Sequence, residues 1–309
     1  MNKKQKDAIF VYGWLAWPIL HFIIFWICMN IGTVADSFFD FNKLGGGKEF
    51  AWFDNYVEVI QYLFGVKEAP AGGLLNTHTI LNTLSLIPIS LLINLPLTIF
   101  FSYCIYKKIM FHKAFEVILF VPAIISATIL CLVFKMAVDP TSGLFTEFMR
   151  MIGAEKQIPN LGFLGDDSTM WGTILVFSVW TGVNGNLIYF QSAIARLPDS
   201  VFESSELDGA SEVRQFFTMA LPLVWPTVTT MSITLVGGVF GWLMPSMLLT
   251  NSAPRSSTLG LFIMKTIKEG GKKQTGTVCA LGVLVGVFGA AFILAFKTLM
   301  EKITTEVEY

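Results

Sequence analysis

The residues best placed to do chemistry lie between Arg196 and Pro222, in the run RLPDSVFESSELDGASEVRQFFTMALP. Its carboxylates and arginines stand between two long apolar stretches, so it is too polar to enter hydrocarbon and too well patterned for a slack connector. Leu197-Pro198 halts whatever helix precedes it, because the residue before a proline avoids the helical region. Ser200 and Glu203 then have the spacing of a capping box, with Ser200 as N-cap. Asp208-Gly209 supplies a turn that accepts positive φ. Ser211 can cap a second helix carrying Val213, Phe216 and Phe217, and Leu221-Pro222 ends it. The expected unit is a capped helix–turn–helix at the mouth of an apolar run.

A second polar constellation sits inside an apolar stretch: Ser178, Trp180, Thr181, Gly182, Asn184, Gly185, Asn186 and Gln191. An unpartnered amide in hydrocarbon costs about a kcal/mol or more, so these groups must face protein or water. Two uses fit equally: lining a path for a hydroxyl-rich solute, or hydrogen bonding between helices. Catalysis has no such foothold. There is no His-x-x-x-His, no Gly-x-Ser-x-Gly, no paired intramembrane aspartate and no phosphate loop. His21, His78 and His112 are scattered, and Cys28, Cys104, Cys131 and Cys279 lack metal spacing and read as small apolar residues. No catalytic residue, metal site or cofactor is expected in this chain.

The elements that must position these groups are membrane helices. Of 309 residues, 54% are hydrophobic and 14% charged. Charged residues in soluble domains make up about a quarter of the chain. Apolar runs long enough to cross about 30 Å of hydrocarbon are placed at 9–31, 79–106, 114–137, 171–194, 223–250 and 276–300. Together they predict an all-α, multi-pass protein with one transmembrane domain over residues 1–309. Basic residues balance between the two sides. The early segments, with Lys3, Lys4, Lys6, Lys107, Lys108 and Lys113, favour both termini in the cytoplasm. The count on the other side includes Lys43, Lys67, Lys272 and Lys273. No basic stripe suggests nucleic acid. In the loop 32–78, Asp54 is expected to cap a helix with Tyr56, Val57, Ile60, Leu63 and Phe64 on one face, at the membrane interface. Lys135, near a span end, reads as snorkelling to the interface. Gly282, Gly286 and Ala290 offer close helix packing, within the chain or with a second subunit.

The spacing Glu203-Ser204-Ser205, then Gly209, then Met219-Ala220-Leu221-Pro222 resembles the coupling loop of ABC importer permeases. The pattern there is Glu-Ala-Ala, three residues, Gly, nine residues, Ile-x-Leu-Pro. Both alanines are serines here and the isoleucine is a methionine, all small or volume-conserving changes. Glu206-Leu207-Asp208-Gly209-Ala210 looks like the carbohydrate-uptake, maltose-permease-like branch. So do Asp54-Asn55-Tyr56, Phe120 to Ser126, Asp139 to Gly143, and Leu249 to Pro254. The resemblance implies the type I permease fold: six transmembrane helices with a cytoplasmic coupling helix, in a bacterial cell membrane. It implies a second permease subunit forming a heterodimer and a cytoplasmic ATPase dimer that binds ATP and Mg. An extracellular solute-binding protein would deliver a sugar or oligosaccharide. Docking to the ATPase would fall to Phe202, Glu203, Ser204, Ser205, Leu207, Asp208, Gly209, Ala210, Phe216, Leu221 and Pro222, with Phe202, Leu207 and Phe216 inserting as apolar contacts. By spacing, Ser178, Thr181, Gly182 and Asn184 would line the path. The competing expectations are an importer of the same architecture for amino acids, phosphate or metal, and, more remotely, an intramembrane enzyme.

Overall fold

A computed structural model describes residues 3–41, 47–64, 66, 77–269, 271 and 274–303. Lys43, Lys67, Lys272 and Lys273, counted above, lie outside the described residues. The described chain is helical apart from one short antiparallel pair, Phe39–Asp40 with Glu49–Phe50. Among the described residues, four helices are long and apolar enough to cross a membrane: Phe10–Asp36, His78–Tyr106, Met170–Ile194 and Thr275–Lys302. Two bent helix pairs pass the same test, and with each pair counted as one span the number is six. Contacts divide the chain into two compact units, Met1–Ala71 with Ile263–Val287, and Gly72–Phe262 with Phe288–Tyr309.

In the first unit, the first span changes to a wider π-helix over Phe22–Ile27, where the Cys28 amide reaches back to the Ile23 carbonyl. The helix expected at the membrane interface runs Asp54–Leu63, but Phe53 holds the N-cap position and Asp54 makes no side-chain cap bond. The Phe53 carbonyl accepts from the amides of Tyr56 and Val57, so Asp54 already lies in the first turn. The packed face is Asn55, Val59 and Tyr62, while Val57, Ile60 and Phe64 face outward. Asn55 Nδ2 donates to the carbonyls of Ser37 and Phe39 at 2.8 and 3.0 Å. Gly276 is needed there, because a Cβ would stand 2.2 Å from the Phe39 carbonyl oxygen.

The second unit is organised by two parallel helices. The second span runs Thr77–Ile89, a π-segment Ser90–Asn94, then Leu95–Tyr106; the fourth is the unbroken helix Met170–Ile194. Four bonds join them along their length. Trp171 Nε1 donates to Ser85 Oγ at 3.1 Å, and Asn94 Nδ2 to the Ser178 carbonyl at 3.3 Å. Thr98 Oγ1 reaches the Val183 carbonyl at 3.1 Å, and Ser102 Oγ the Leu187 carbonyl at 3.4 Å. The partners stay 84 to 86 residues apart in sequence, which requires the two helices to run in the same direction and in register.

Two spans expected as single rods are broken. The third is two helices, His112–Ile124 and Ala127–Ala137, meeting at 109°. Pro122 weakens the end of the first, Ile125 is extended, and Ser126 Oγ caps the second by accepting from the Ile129 amide at 3.4 Å. The fifth is Trp225–Val239, entered through a 70° bend at Val224 from Glu212–Leu223. It stops before residue 250: the chain turns through Gly241–Leu243 and a separate short helix covers Met244–Thr250. Apolar content runs through both breaks, and so composition alone joined them. Past Thr250, Asn251 and Ser252 hold positive φ, and Asn82 Nδ2 pins the following loop through the carbonyls of Arg255 and Ser257. On the last helix, Gly282 and Gly286 meet nothing within 4 Å of a Cβ position, whereas a Cβ on Gly289 would lie 3.5 Å from the Phe240 ring.

Candidate functional site

The helix that leaves the fourth span is built by local chemistry. Pro198 is extended at ψ 128° and occupies the N-cap position, and the helix runs Asp199–Leu207. The expected capping box therefore does not form: Ser200 is already inside the first turn, and Glu203 points outward, exposed. The far end closes with the Gly209 amide on the Glu206 carbonyl at 3.0 Å and the Ala210 amide on the Ser205 carbonyl at 2.9 Å. These are the paired bonds of a Schellman motif. Gly209 carries the left-handed φ of +75° that this closure needs. Ser211 caps the next helix as expected, its Oγ accepting from the Arg214 amide at 3.4 Å. Leu221-Pro222 does not end that helix. It continues through a π-segment, Phe216–Ala220, and a last turn, Leu221–Leu223, before the bend at Val224.

The side chains sort into an inner and an outer set. Phe202 (5% exposed) and Phe216 (9%) were the expected apolar insertions, but both are buried within the chain itself. They join Leu95, Ile99, Tyr103, Phe190, Ile194 and Val224 in one core beneath the loop. Ser205 is also buried; its hydroxyl donates to the Phe202 carbonyl at 2.9 Å, and that of Ser204 to the Val201 carbonyl at 3.1 Å. The serines standing for alanines thus leave no unsatisfied group. Outward lie Glu203, Ser204, Leu207, Asp208 and Gly209, with Leu207 91% exposed. Ala210 and Leu221 are half-buried and Pro222 is exposed. The outer face is therefore a bare leucine ringed by carboxylates.

The inner face is held by a group the sequence reading missed. Tyr103, Tyr106 and Lys107 end the second span. Their spacing i, i+3, i+4 places all three on one face. Tyr106 Oη donates to Asp199 Oδ1 at 2.9 Å, and Tyr103 Oη to Glu212 Oε2 at 3.3 Å. Lys107 Nζ sits 3.1 Å from Glu206 Oε1 and 3.2 Å from Glu212 Oε2. It also donates to Gln215 Oε1 at 2.8 Å and lies 5.4 Å above the Phe202 ring. The available signal was polar tips repeating at helical spacing where the apolar run ends. It went unread because their partners are more than ninety residues away in sequence.

The polar stripe of the fourth span divides. Ser178 and Asn184 are buried, and Thr181 and Gly182 half-buried. Ser178 Oγ, Thr181 Oγ1 and Asn184 Nδ2 donate to carbonyls of their own helix, Leu175 at 2.8 Å, Phe177 at 3.0 Å and Trp180 at 2.6 Å. Gly182 faces the second span so closely that a Cβ would stand 2.3 Å from Asn94 Nδ2. Asn94 Oδ1 is buried without a partner. Lys135 falls in the last turn of its helix and lines a cavity of about 400 Å³ with Asp139, Phe163, Met170, Leu249 and Asn251. The Asp139 carboxylate accepts from the Thr141 hydroxyl and from the amides of Thr141 and Ser142, which holds its pKa below the usual carboxylate value. Among the described residues, no group of three or more His, Cys, Asp or Glu could hold a metal ion.

Comparison with known proteins agrees with this architecture. Residues 77–305 match the family described as binding-protein-dependent transport system inner membrane component. The chain is 25% identical over 304 residues to the probable ABC transporter permease protein YurN of Bacillus subtilis, covering 96% of this chain and 99% of that one. It is 24% identical over 295 residues to the diacetylchitobiose uptake system permease protein NgcF of Streptomyces coelicolor, covering 94% and 81%. Among solved structures, it superposes with TM-score 0.77 at 20% identity on a chain of a bacterial ABC transporter involved in the import of the acidic polysaccharide alginate, covering 98% and 99%. A second structure of such a transporter, in complex with an alginate pentasaccharide-bound periplasmic protein, gives 0.78 at 20% identity over 98% of both chains. The match covers both parallel spans and the whole of Arg196–Pro222, and the chain belongs to the family of binding-protein-dependent transport system inner membrane components.

Proposed function

We propose that this chain is one of two permease subunits in an ABC importer that brings a sugar or oligosaccharide across the bacterial inner membrane. Arg196–Pro222 lies on the cytoplasmic side, as do both termini, and docks a separate ATPase that binds ATP and Mg. A solute-binding protein delivers cargo on the other side. The observation that carries this reading is the division of the loop into a buried inner face and an outer face of bare Leu207 beside Glu203 and Asp208. A leucine left in water on an ordered, Schellman-closed turn suits insertion into a partner groove, with the carboxylates meeting basic groups at its rim. The saccharide cargo is supported by the relatives named for diacetylchitobiose and arabinooligosaccharide uptake. Ser178, Thr181, Gly182 and Asn184 are proposed to border the path where the fourth span meets the second.

Closure of the ATPase around ATP would move the loop. The loop in turn would bias the spans between two states, because ATP binds one of them better. The test is ATP-driven uptake of labelled oligosaccharide by vesicles holding this chain with its neighbouring permease, ATPase and binding protein. Uptake dependent on both ATP and the binding protein is expected. Uptake indifferent to ATP, or an ATPase that fails to associate with this chain, would overturn the reading.

A further inference from the structure

We infer that Lys107, supported by Tyr103 and Tyr106, is a positioning residue that makes the second span follow the coupling loop; this rests on the docking role proposed above. The loop is covalently continuous with the fourth and fifth spans only. The second span, far away in sequence, has no such link. Lys107 supplies one by engaging both helices of the loop at once, through Glu206 on the first and Glu212 and Gln215 on the second. Its side chain is only 16% exposed, whereas those of Glu206 and Glu212 are 56% and 64% exposed, so the lysine is the inward member of each pair. Gln215 is itself buried and returns a bond from its Nε2 to the Ala210 carbonyl at 3.3 Å, tying Lys107 to the turn at Gly209.

The backbone beside Lys107 takes angles that fix where the helix ends. Lys108 adopts a left-handed φ of +51° and Phe111 one of +64°. Such conformations are unfavourable for residues with a Cβ. The Lys108 amide bonds the Ile105 carbonyl at 3.0 Å, and the Ile109 amide the Cys104 carbonyl at 3.4 Å. This Schellman closure with lysine in place of glycine fixes Lys107 at the helix end. A rigid helix end that grips both coupling helices transmits displacement. From there the register bonds of Ser102, Thr98 and Asn94 to the fourth span carry it along both rods.

The experiment uses the complete importer in proteoliposomes and reads oligosaccharide transported per ATP hydrolysed for the wild type, Lys107→Met and Lys107→Arg. Methionine keeps the apolar stem and removes the charge and all three bonds, while Glu206 and Glu212 remain solvated. The ratio should fall at least about fivefold in Lys107→Met, given the strength of charge-assisted bonds, and recover to within about twofold of wild type in Lys107→Arg. A merely structural role would lower transport and hydrolysis together and leave their ratio unchanged. An unchanged ratio in Lys107→Met, or failure of arginine to restore it, overturns the inference. Wild-type vesicles that show no ATP-driven uptake overturn the parent reading instead.

Discussion

Gly182→Ala puts a single methyl group between the two central helices. The new Cβ would lie 2.3 Å from Asn94 Nδ2 and 2.9 Å from Asn94 Cγ, well inside contact distance. The obstacle is a short, buried side chain whose Nδ2 holds the Ser178 carbonyl at 3.3 Å. Overpacking of this kind costs about 1–3 kcal/mol, against a gain of about 0.5–1 kcal/mol from replacing a mid-helix glycine. The net loss should be about 1–2 kcal/mol. Asn94→Ala alone should be nearly neutral. It forfeits one long bond worth about 0.5–1.5 kcal/mol but also removes Oδ1, which is buried without a partner. In the double variant the methyl group has room, and the penalty of Gly182→Ala should vanish, a coupling of about 1–2 kcal/mol. Equilibrium unfolding of the purified permease in mixed micelles measures all four corners of the cycle. Additivity within about 0.5 kcal/mol would show that Gly182 and Asn94 are not in contact and would remove the packing role assigned to this part of the stripe.

Two further outcomes follow from the loop and from the turn after the third span. Leu207→Asp should change unfolding by no more than about 0.5 kcal/mol, because the residue is exposed, yet abolish co-purification of the ATPase. Phe202→Ala should instead cost about 3–5 kcal/mol; equal effects of the two on stability would contradict the inner and outer assignment. For Asp139, whose folded pKa lies below its unfolded one, the stabilisation is complete above the unfolded value of about 3.9 and lost as pH falls through the folded value. The thermal-midpoint advantage of wild type over Asp139→Asn should be constant from about pH 7 to 5 and shrink below about pH 4. An advantage that grows on acidification would refute the turn's electrostatics.

The helix–turn–helix and its glycine were legible because they depend on residues a few positions apart. Gly209 needed only its own backbone, and Ser211 only Arg214. Ser200 misled because Pro198, two residues earlier, took the cap position first. Span number was readable from apolar length, but span shape was not. Ile125 and Ser126 break the third span by backbone angle inside a run that stays apolar overall. The direction in which each aromatic residue points was equally hidden. Phe202 and Phe216 face inward because Tyr106 and Tyr103 offer ring partners at 5.5 and 5.1 Å, a long-range fact that spacing does not carry.

The prolines show how a membrane helix can bend without leaving backbone groups unpaired. Leu95-Pro96 and Leu221-Pro222 share a dipeptide and a solution. In each, the leucine amide bonds the carbonyl five residues back, Ser90 or Phe216, which widens one turn into a π-segment. A proline ring collides with the carbonyl four residues before it, here that of Leu92 or Thr218, and a widened turn gives that carbonyl somewhere to go. In the second span, where lipid offers no water to rescue a freed group, such a turn is the available remedy for Pro96. One of these joints lies in the second span and the other between the coupling loop and the fifth. Leu95 and Ala220 both belong to the core that seats Phe202 and Phe216. The same core therefore packs against both widened turns and against the helix that carries Phe202.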